Sequence, residues 1–248
     1  MSRVVALVPA KDRADTVGAT IRSLLLVEGL TEVLVVDDGS SDSTGEVAEA
    51  AGASVLRLDD NVGKGGAVAA GVAASGAAAT YLLIDADLGE TAADAGLLLA
   101  PVLEGVADMT IAVLPSAGTS GGFGLVKRAA VHILASATGR EFREPLSGQR
   151  AIVGSHLRAL TLAPRFGLEV GLTIDAIERE MCLIEIDVPF SHRATGRTPA
   201  GFVHRARQGR DLVCAAAVRL GWKVTLAAVR ASVLRRPVSP APPSSLSS

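Results

Sequence analysis

The chain reads as an α/β protein, a mostly parallel, Rossmann-like sheet flanked by helices with a C-terminal helical extension, and three observations predict this. Short runs rich in Val, Leu and Ile recur through the first 115 residues, each followed by a helical pattern. Of the 248 residues 49% are apolar but only 3% aromatic, so Ala, Val, Leu and Ile must build the core, as in helices packed on a Val-rich sheet. Charged residues (Lys11, Asp37, Asp38, Asp85 and Asp87) fall directly after the apolar runs. In such sheets the ligand crevice lies beyond those strand ends.

The elements follow in order. Residues 4–8 read as a strand buried on both faces, followed by a helix over 16–27 with Ile21, Leu24 and Leu25 on one face. A second strand at 33–36 ends in Asp37-Asp38-Gly39-Ser40, and Asp42 or Ser43 caps a helix reaching 51. A third strand spans 55–58, and residues 63–74 begin as a Gly-rich loop leading into a helix. The fourth strand, 81–84, ends at Asp85, and 109–114 is the fifth. Beyond it, 116–124 holds four Gly and reads as a mobile loop. Helices are expected over 125–137, 169–180 and 207–235, and a strand over 184–188. Residues 1–235 are expected to form a single domain, with the Pro/Ser-rich stretch 236–248 a disordered tail.

A net charge of −2 gives no global attraction to nucleic acid. Locally, 192–210 carries five Arg, two His and no acid. The first apolar run is too short for a signal peptide, and the most apolar later stretch, 212–234, is broken by Arg219, Lys223 and Arg230. No transmembrane segment is expected. Cys182 and Cys214 have no paired spacing and read as reduced and buried, which fits a cytoplasmic chain.

Asp85-Ala86-Asp87 sets two carboxylates at i and i+2 on an extended chain, where both can point to one side. The pair repels unless a cation lies between, and a hard ion such as Mg²⁺ or Mn²⁺ takes carboxylate and phosphate oxygens together. An isolated Asp-x-Asp is more often a solvated turn, but its place after a buried strand, level with other post-strand acids, favours the metal. Asp37-Asp38-Gly39-Ser40 is equally a strand-to-helix turn or a contact to a nucleoside. Val62-Gly63-Lys64-Gly65-Gly66 lacks the Ser/Thr of a P-loop and the third Gly of a dinucleotide fingerprint. It presents one Lys at a helix N-terminus, suited to a diphosphate, or is simply a helix-start glycine cluster. Glu169 is a first-turn acid or a functional carboxylate, and His192, alone, is more often structural than a ligand.

Together, Val8-Pro9-Ala10, Asp37-Asp38-Gly39-Ser40, Asn61-Val62-Gly63-Lys64-Gly65, Asp85-Ala86-Asp87 and Ser147-Gly148 resemble the family 2 type glycosyltransferases with the GT-A fold. Pro145-Leu146-Ser147-Gly148, the run Phe166 to Leu172 and His192-Arg193 look closer to one group of them, the glucosyl-3-phosphoglycerate synthases. The resemblance implies a donor-binding half over 1–115 and an acceptor half over 116–235. It places Pro9, Ala10, Lys11, Arg13, Asp38, Lys64, Asp85, Ala86 and Asp87 around a nucleotide-sugar. Asp87 and His192 would hold Mg²⁺ or Mn²⁺, Asp85 the ribose, and Glu169 would lie near the donor sugar, so that Glu169, Asp87 and Lys64 carry catalysis. Gly121, Gly122, Ser147, Gly148, Arg193 and Arg197 would face the acceptor. Two departures stand out. The basic residue that holds the acceptor phosphate in the synthases is missing from Gly121-Gly122-Phe123-Gly124, and Arg13 replaces an acid.

The expected activity is therefore metal-dependent transfer of a sugar, from UDP-glucose or a similar UDP-sugar, to a small acceptor that the sequence does not identify. Two alternatives stay open: transfer to a polyprenyl phosphate, with the basic stretch and last helix at a membrane surface, and nucleotide-sugar binding with little transfer. The Ala-rich last helix fits core packing or a homodimer interface as well as a bilayer.

Overall fold

The computed structural model describes residues 2–115, 123–191 and 199–234, without the side chains of 123–126, 137, 138, 199–208, 233 and 234. Gly121, Gly122, His192, Arg193, Arg197 and the tail 236–248 lie outside the described residues. Seven strands form one sheet: β1 (Val4–Ala10), β2 (Glu32–Asp37), β3 (Ser54–Arg57), β4 (Thr80–Leu83), β5 (Met109–Val113), β6 (Arg150–Val153) and β7 (Leu183–Asp187). The helices are α1 (Val17–Leu24), α2 (Thr44–Ala50), α3 (Gly63–Ser75), α4 (Gly96–Leu103), α5 (Phe123–Thr138), α6 (Gly154–Ala159), α7 (Leu168–Glu178), α8 (Pro199–Leu220) and α9 (Trp222–Leu234).

The strand order is β3-β2-β1-β4-β6-β5-β7, with β6 antiparallel to its neighbours and the other six parallel. Side chains alternate across the pleat, so each parallel strand feeds two cores. Val5 and Leu7 join α3, α5, α7, α8 and α9 on one face, and Val4, Ala6 and Val8 join α1, α2 and α4 on the other. This double cover is why β1 reads as one unbroken apolar run. From β1 the chain builds outward to β2 and β3, then crosses to place β4 on the opposite edge of β1. The order therefore reverses between β1 and β4, and a crevice opens beyond their carboxyl ends.

The mostly parallel sheet, flanking helices and C-terminal helices agree with the expected fold class, with local differences. Strand β6 is not apparent in the sequence because it is four residues long and starts on Arg150. Helices α4 and α6 likewise escape the periodic pattern, and α3 begins at Gly63 itself rather than after a loop. The expected last helix is two helices, broken at Gly221, whose φ of 82° suits glycine. Cys182 and Cys214 are both exposed, correcting the expectation of burial. Cys214 lies on the outer side of α8, whose Leu212 and Ala216 take the core positions. Among the described residues no helix is long and apolar enough to cross a membrane.

The first turn of α3 packs directly on the chain ahead of α7. A Cβ on Gly65 would collide with the Ala163 carbonyl oxygen and lie 3.0 Å from the Arg165 nitrogen. Backbone cannot yield as a side-chain tip can, so Gly65→Ala is expected to cost about 1–3 kcal/mol, read as a shifted urea midpoint with unchanged slope.

Candidate active site

The loops after β1 and β2 are tied into one wall. The Arg13 N–H donates to Thr44 Oγ1 at 2.7 Å, the Ala14 N–H to Asp42 Oδ2 at 3.2 Å, and the Ser41 N–H to Asp12 Oδ1 at 2.8 Å. Lys11 Nζ donates to the Gly39 carbonyl at 2.6 Å and the Asp38 carbonyl at 3.3 Å, closing the turn after β2. The Asp38 carboxylate accepts the N–H groups of Val62 at 2.7 Å and Gly63 at 2.9 Å. It thus satisfies donors at the start of α3 while its side chain lines the cleft. The turn reading of Asp37-Asp38 holds, and the cleft position of Asp38 is the one that a nucleoside contact would need.

The centre is a connected polar group spanning both halves of the chain. Lys64 Nζ lies 2.6 Å from Asp85 Oδ1 and 3.0 Å from Glu169 Oε1. Burial opposes the charge on Lys64, but the Asp85 and Glu169 carboxylates outweigh it and hold the ammonium above its ordinary range. Gln149 Nε2 donates to Asp85 Oδ2 at 2.6 Å, and the Ser147 hydroxyl donates to Gln149 Oε1 at 3.1 Å. Antiparallel pairing of Leu83 with Arg150 brings Asp85 to Gly148. A Cβ on Gly148 would occupy the Lys64 ammonium position and lie 3.2 Å from Asp85 Oδ1. The turn after β4 is anchored from beneath: Thr20 Oγ1 of α1, fully buried, donates to the Ala86 carbonyl at 3.0 Å and accepts the Gly89 N–H at 2.9 Å.

The nine residues assigned to the donor from sequence, Pro9 to Arg13 without Asp12, Asp38, Lys64 and Asp85 to Asp87, all line one cleft of about 280 Å³, with Phe166 the tenth. A second hollow of about 390 Å³ adjoins it, reaching Asn61, Arg165 and Arg210. Lys64, read as a diphosphate contact, lines the cleft but directs its ammonium at Asp85 and Glu169. Glu169 is 6% exposed and sits in the first turn of α7. Ser147 and Gly148, read as acceptor contacts, support Gln149 and make room for Lys64. Gln149 and Thr20 are absent from the sequence reading, and Phe166 enters it only as part of the run Phe166 to Leu172, with no site role. Gln149 directly follows the Ser147-Gly148 signal, whereas Thr20 gives none beyond a polar residue on an apolar helix face.

Both Asp85 oxygens have strong partners, and Asp87, with Arg13 Nε at 4.0 Å, is partly exposed in the cleft. Among the described residues no three His, Cys, Asp or Glu side chains converge as a closed metal cage. One hard carboxylate beside an open cleft fits a divalent ion completed by water and phosphate oxygens, the usual manner of Mg²⁺.

A crevice at the switch point, lined by a post-strand Asp-x-Asp and a helix N-terminus, is where α/β sheets of this class take their ligands. The family model for glycosyl transferase family 2 matches residues 5–150, and the chain belongs to that family. It is 32% identical over 201 residues to the glycosyltransferase AglJ of Haloferax volcanii, covering 78% of this chain and 64% of that one. It is 30% identical over 200 residues to the glucosyl-3-phosphoglycerate synthase of Mycolicibacterium paratuberculosis, covering 71% and 60%. The chain thus spans about three fifths of the length of these curated relatives. The crystal structure of the Mycobacterium tuberculosis glucosyl-3-phosphoglycerate synthase with Mn²⁺, UDP and phosphoglyceric acid superposes with a TM-score of 0.75 at 25% identity, over 89% of this chain and 79% of that one. A second crystal structure of that synthase, with Mn²⁺, UDP-glucose and phosphoglyceric acid, gives the same TM-score.

Gly148→Ala tests the bridge itself. Its Cβ would take the place of the Lys64 ammonium, so Lys64 should leave Asp85 and Glu169 and the fold should lose about 1–3 kcal/mol, as two neighbouring acids keep no cation between them. A crystal structure of the variant with Lys64 still on both acids would refute this.

Proposed function

We propose that this protein transfers a glycosyl group from a UDP-sugar, UDP-glucose or a close analogue, to a small acceptor, with Mg²⁺ or Mn²⁺ at Asp87. The observation that carries this reading is the single cleft that all nine sequence-assigned donor residues line, Asp87 among them. Asp85 is fixed there by Lys64 and Gln149, and the Asp87 side chain is partly exposed in the same cleft. The solved relatives that carry UDP with Mn²⁺ or Mg²⁺ support it. When bound, the metal neutralises charge on the departing diphosphate.

The chain's own residues do the rest. Asp87 supplies the hard oxygen, and His192 is the proposed second protein ligand. Asp85, held at both oxygens, presents a fixed edge to the ribose. Glu169, held 3.0 Å from the Lys64 ammonium, is turned toward a fixed cation, which suits the orientation of a sugar hydroxyl better than removal of the acceptor's proton. Arg13, standing on the tied loops, adds positive charge beside the diphosphate. Arg193, Arg197 and the Gly121-Gly122 loop remain the proposed acceptor contacts.

A thermal-shift screen of UDP, UDP-glucose and GDP with and without Mn²⁺ tests the donor. UDP with Mn²⁺ at 100 times its Kd stabilises by about 2.7 kcal/mol, a rise of several degrees, and Asp87→Ala should lose most of it. Equal shifts in Asp87→Ala would remove that residue from the metal site.

A second acceptor, a polyprenyl phosphate at an anionic membrane, is favoured by one surface. Val218, Trp222 and Leu226 are exposed (83%, 57% and 44%) beside Lys223 and Arg230 at the α8–α9 corner. Pelleting with anionic but not neutral liposomes, reduced in Trp222→Ser, is the outcome this acceptor requires.

A further inference from the structure

Strand β6 opens on Arg150, whose relative exposure is 0%. Burial pulls its guanidinium down to about 10, and the charges of Glu169 and Glu185 offset part of that effect. Its hydrogen-bond partners are neutral. Nε donates to the Ser147 carbonyl at 3.0 Å, Nη2 to the Pro145 carbonyl at 3.3 Å and Nη1 to Thr173 Oγ1 at 2.9 Å, with Met109 Sδ at 3.9 Å. A buried charge with no carboxylate in direct contact is expensive, and an apolar side chain of similar volume would fill the space more cheaply. What Arg150 adds is direction, because its planar fork aims several donors at fixed angles.

Those donors join two arms of the site. On one arm, Pro145 and Ser147 lead through the Ser147 hydroxyl and Gln149 to Asp85. On the other, the Thr173 hydroxyl donates to the Glu169 carbonyl one helical turn back, at 2.9 Å. Lys64 closes the ring by touching Asp85 and Glu169 together. We infer that Arg150 is the positioning residue of the transfer site: it sets the spacing between the β4–β6 arm and the first turn of α7, so that one ammonium reaches both acids. This rests on the donor reading proposed above for its kinetic consequence, but not for its geometry.

The test compares Arg150→Met, Arg150→Lys and Thr173→Val by UDP release from UDP-glucose with Mn²⁺, by UDP affinity, and by crystal structures of the ligand-free variants. A misplacement near 1 Å costs about 100-fold, so Arg150→Met should lower kcat by roughly that factor. UDP affinity should fall far less than kcat, because most of the proposed nucleotide-facing residues come from the ends of β1 and β2 and from α3, and only Asp85 leans on the Arg150 arm. Arg150→Lys keeps the charge but loses the fork, and is expected to rescue little of the rate. Thr173→Val cuts a single link and remains informative if Arg150→Met does not fold. In its structure Glu169 should move beyond ion-pair distance of Lys64. Lowered melting temperatures with unchanged kcat and KM below them would overturn the assignment, as would Glu169 staying on Lys64 in both Thr173→Val and Arg150→Lys. Wild-type protein inert toward UDP-glucose would sink the donor reading instead, and the crystallographic comparison would still decide Arg150.

Discussion

The Lys64 ammonium, 2.6 Å from Asp85 and 3.0 Å from Glu169, ties the two halves of the chain at their functional edge. Asp85 leaves the end of β4, Glu169 enters α7 almost ninety residues later, and Lys64 rides on the first turn of α3. A charge so placed is screened little by solvent and fixes three elements relative to one another. Several neighbouring features follow from it. Gly148 has no side chain because the ammonium fills that space, and Gly65 has none because α3 must come close enough for Lys64 to reach.

The same bridge gives the two acids of the Asp-x-Asp pair different work. A carboxylate with a lysine on one oxygen and an amide on the other is no longer an open ligand, although it remains a rigid surface. Two residues on, the chain has turned so that Asp87 lines the cleft with its side chain partly exposed. Thr20 keeps that turn from relaxing, so the distinction is built from below as well as from the side.

Much of this was legible in the residues. Unbroken apolar strands announced a sheet covered on both faces, and charged residues just after them marked the crevice. The donor residues assigned by resemblance line a common cleft because the parallel topology gathers post-strand loops at one edge. What stayed hidden has physical causes. Strand β6 owes its existence to pairing with β4 and β5 rather than to any pattern in Arg150 to Val153. The importance of Gln149 and Arg150 comes from partners over sixty and twenty positions away, and local propensity carries no trace of such contacts. Cys214 looked like a core residue by type, but the turn of α8 placed it outward.

Strand β6 runs against its neighbours, so it begins, rather than ends, at the crevice. The connection leaving β5 at Val113 and returning at Arg150 therefore has both feet on the same rim. A parallel crossover must travel the length of the sheet and back, and any change in it disturbs packing on the way. An excursion rooted twice at the rim needs no strand beyond it, and what holds it to the sheet is α5, whose Ala130, Ile133 and Leu134 pack into the core. One wall of the cleft is thereby fixed by the register of β1, β2 and β4, while the rim at Arg150 is held by the packing of a single helix.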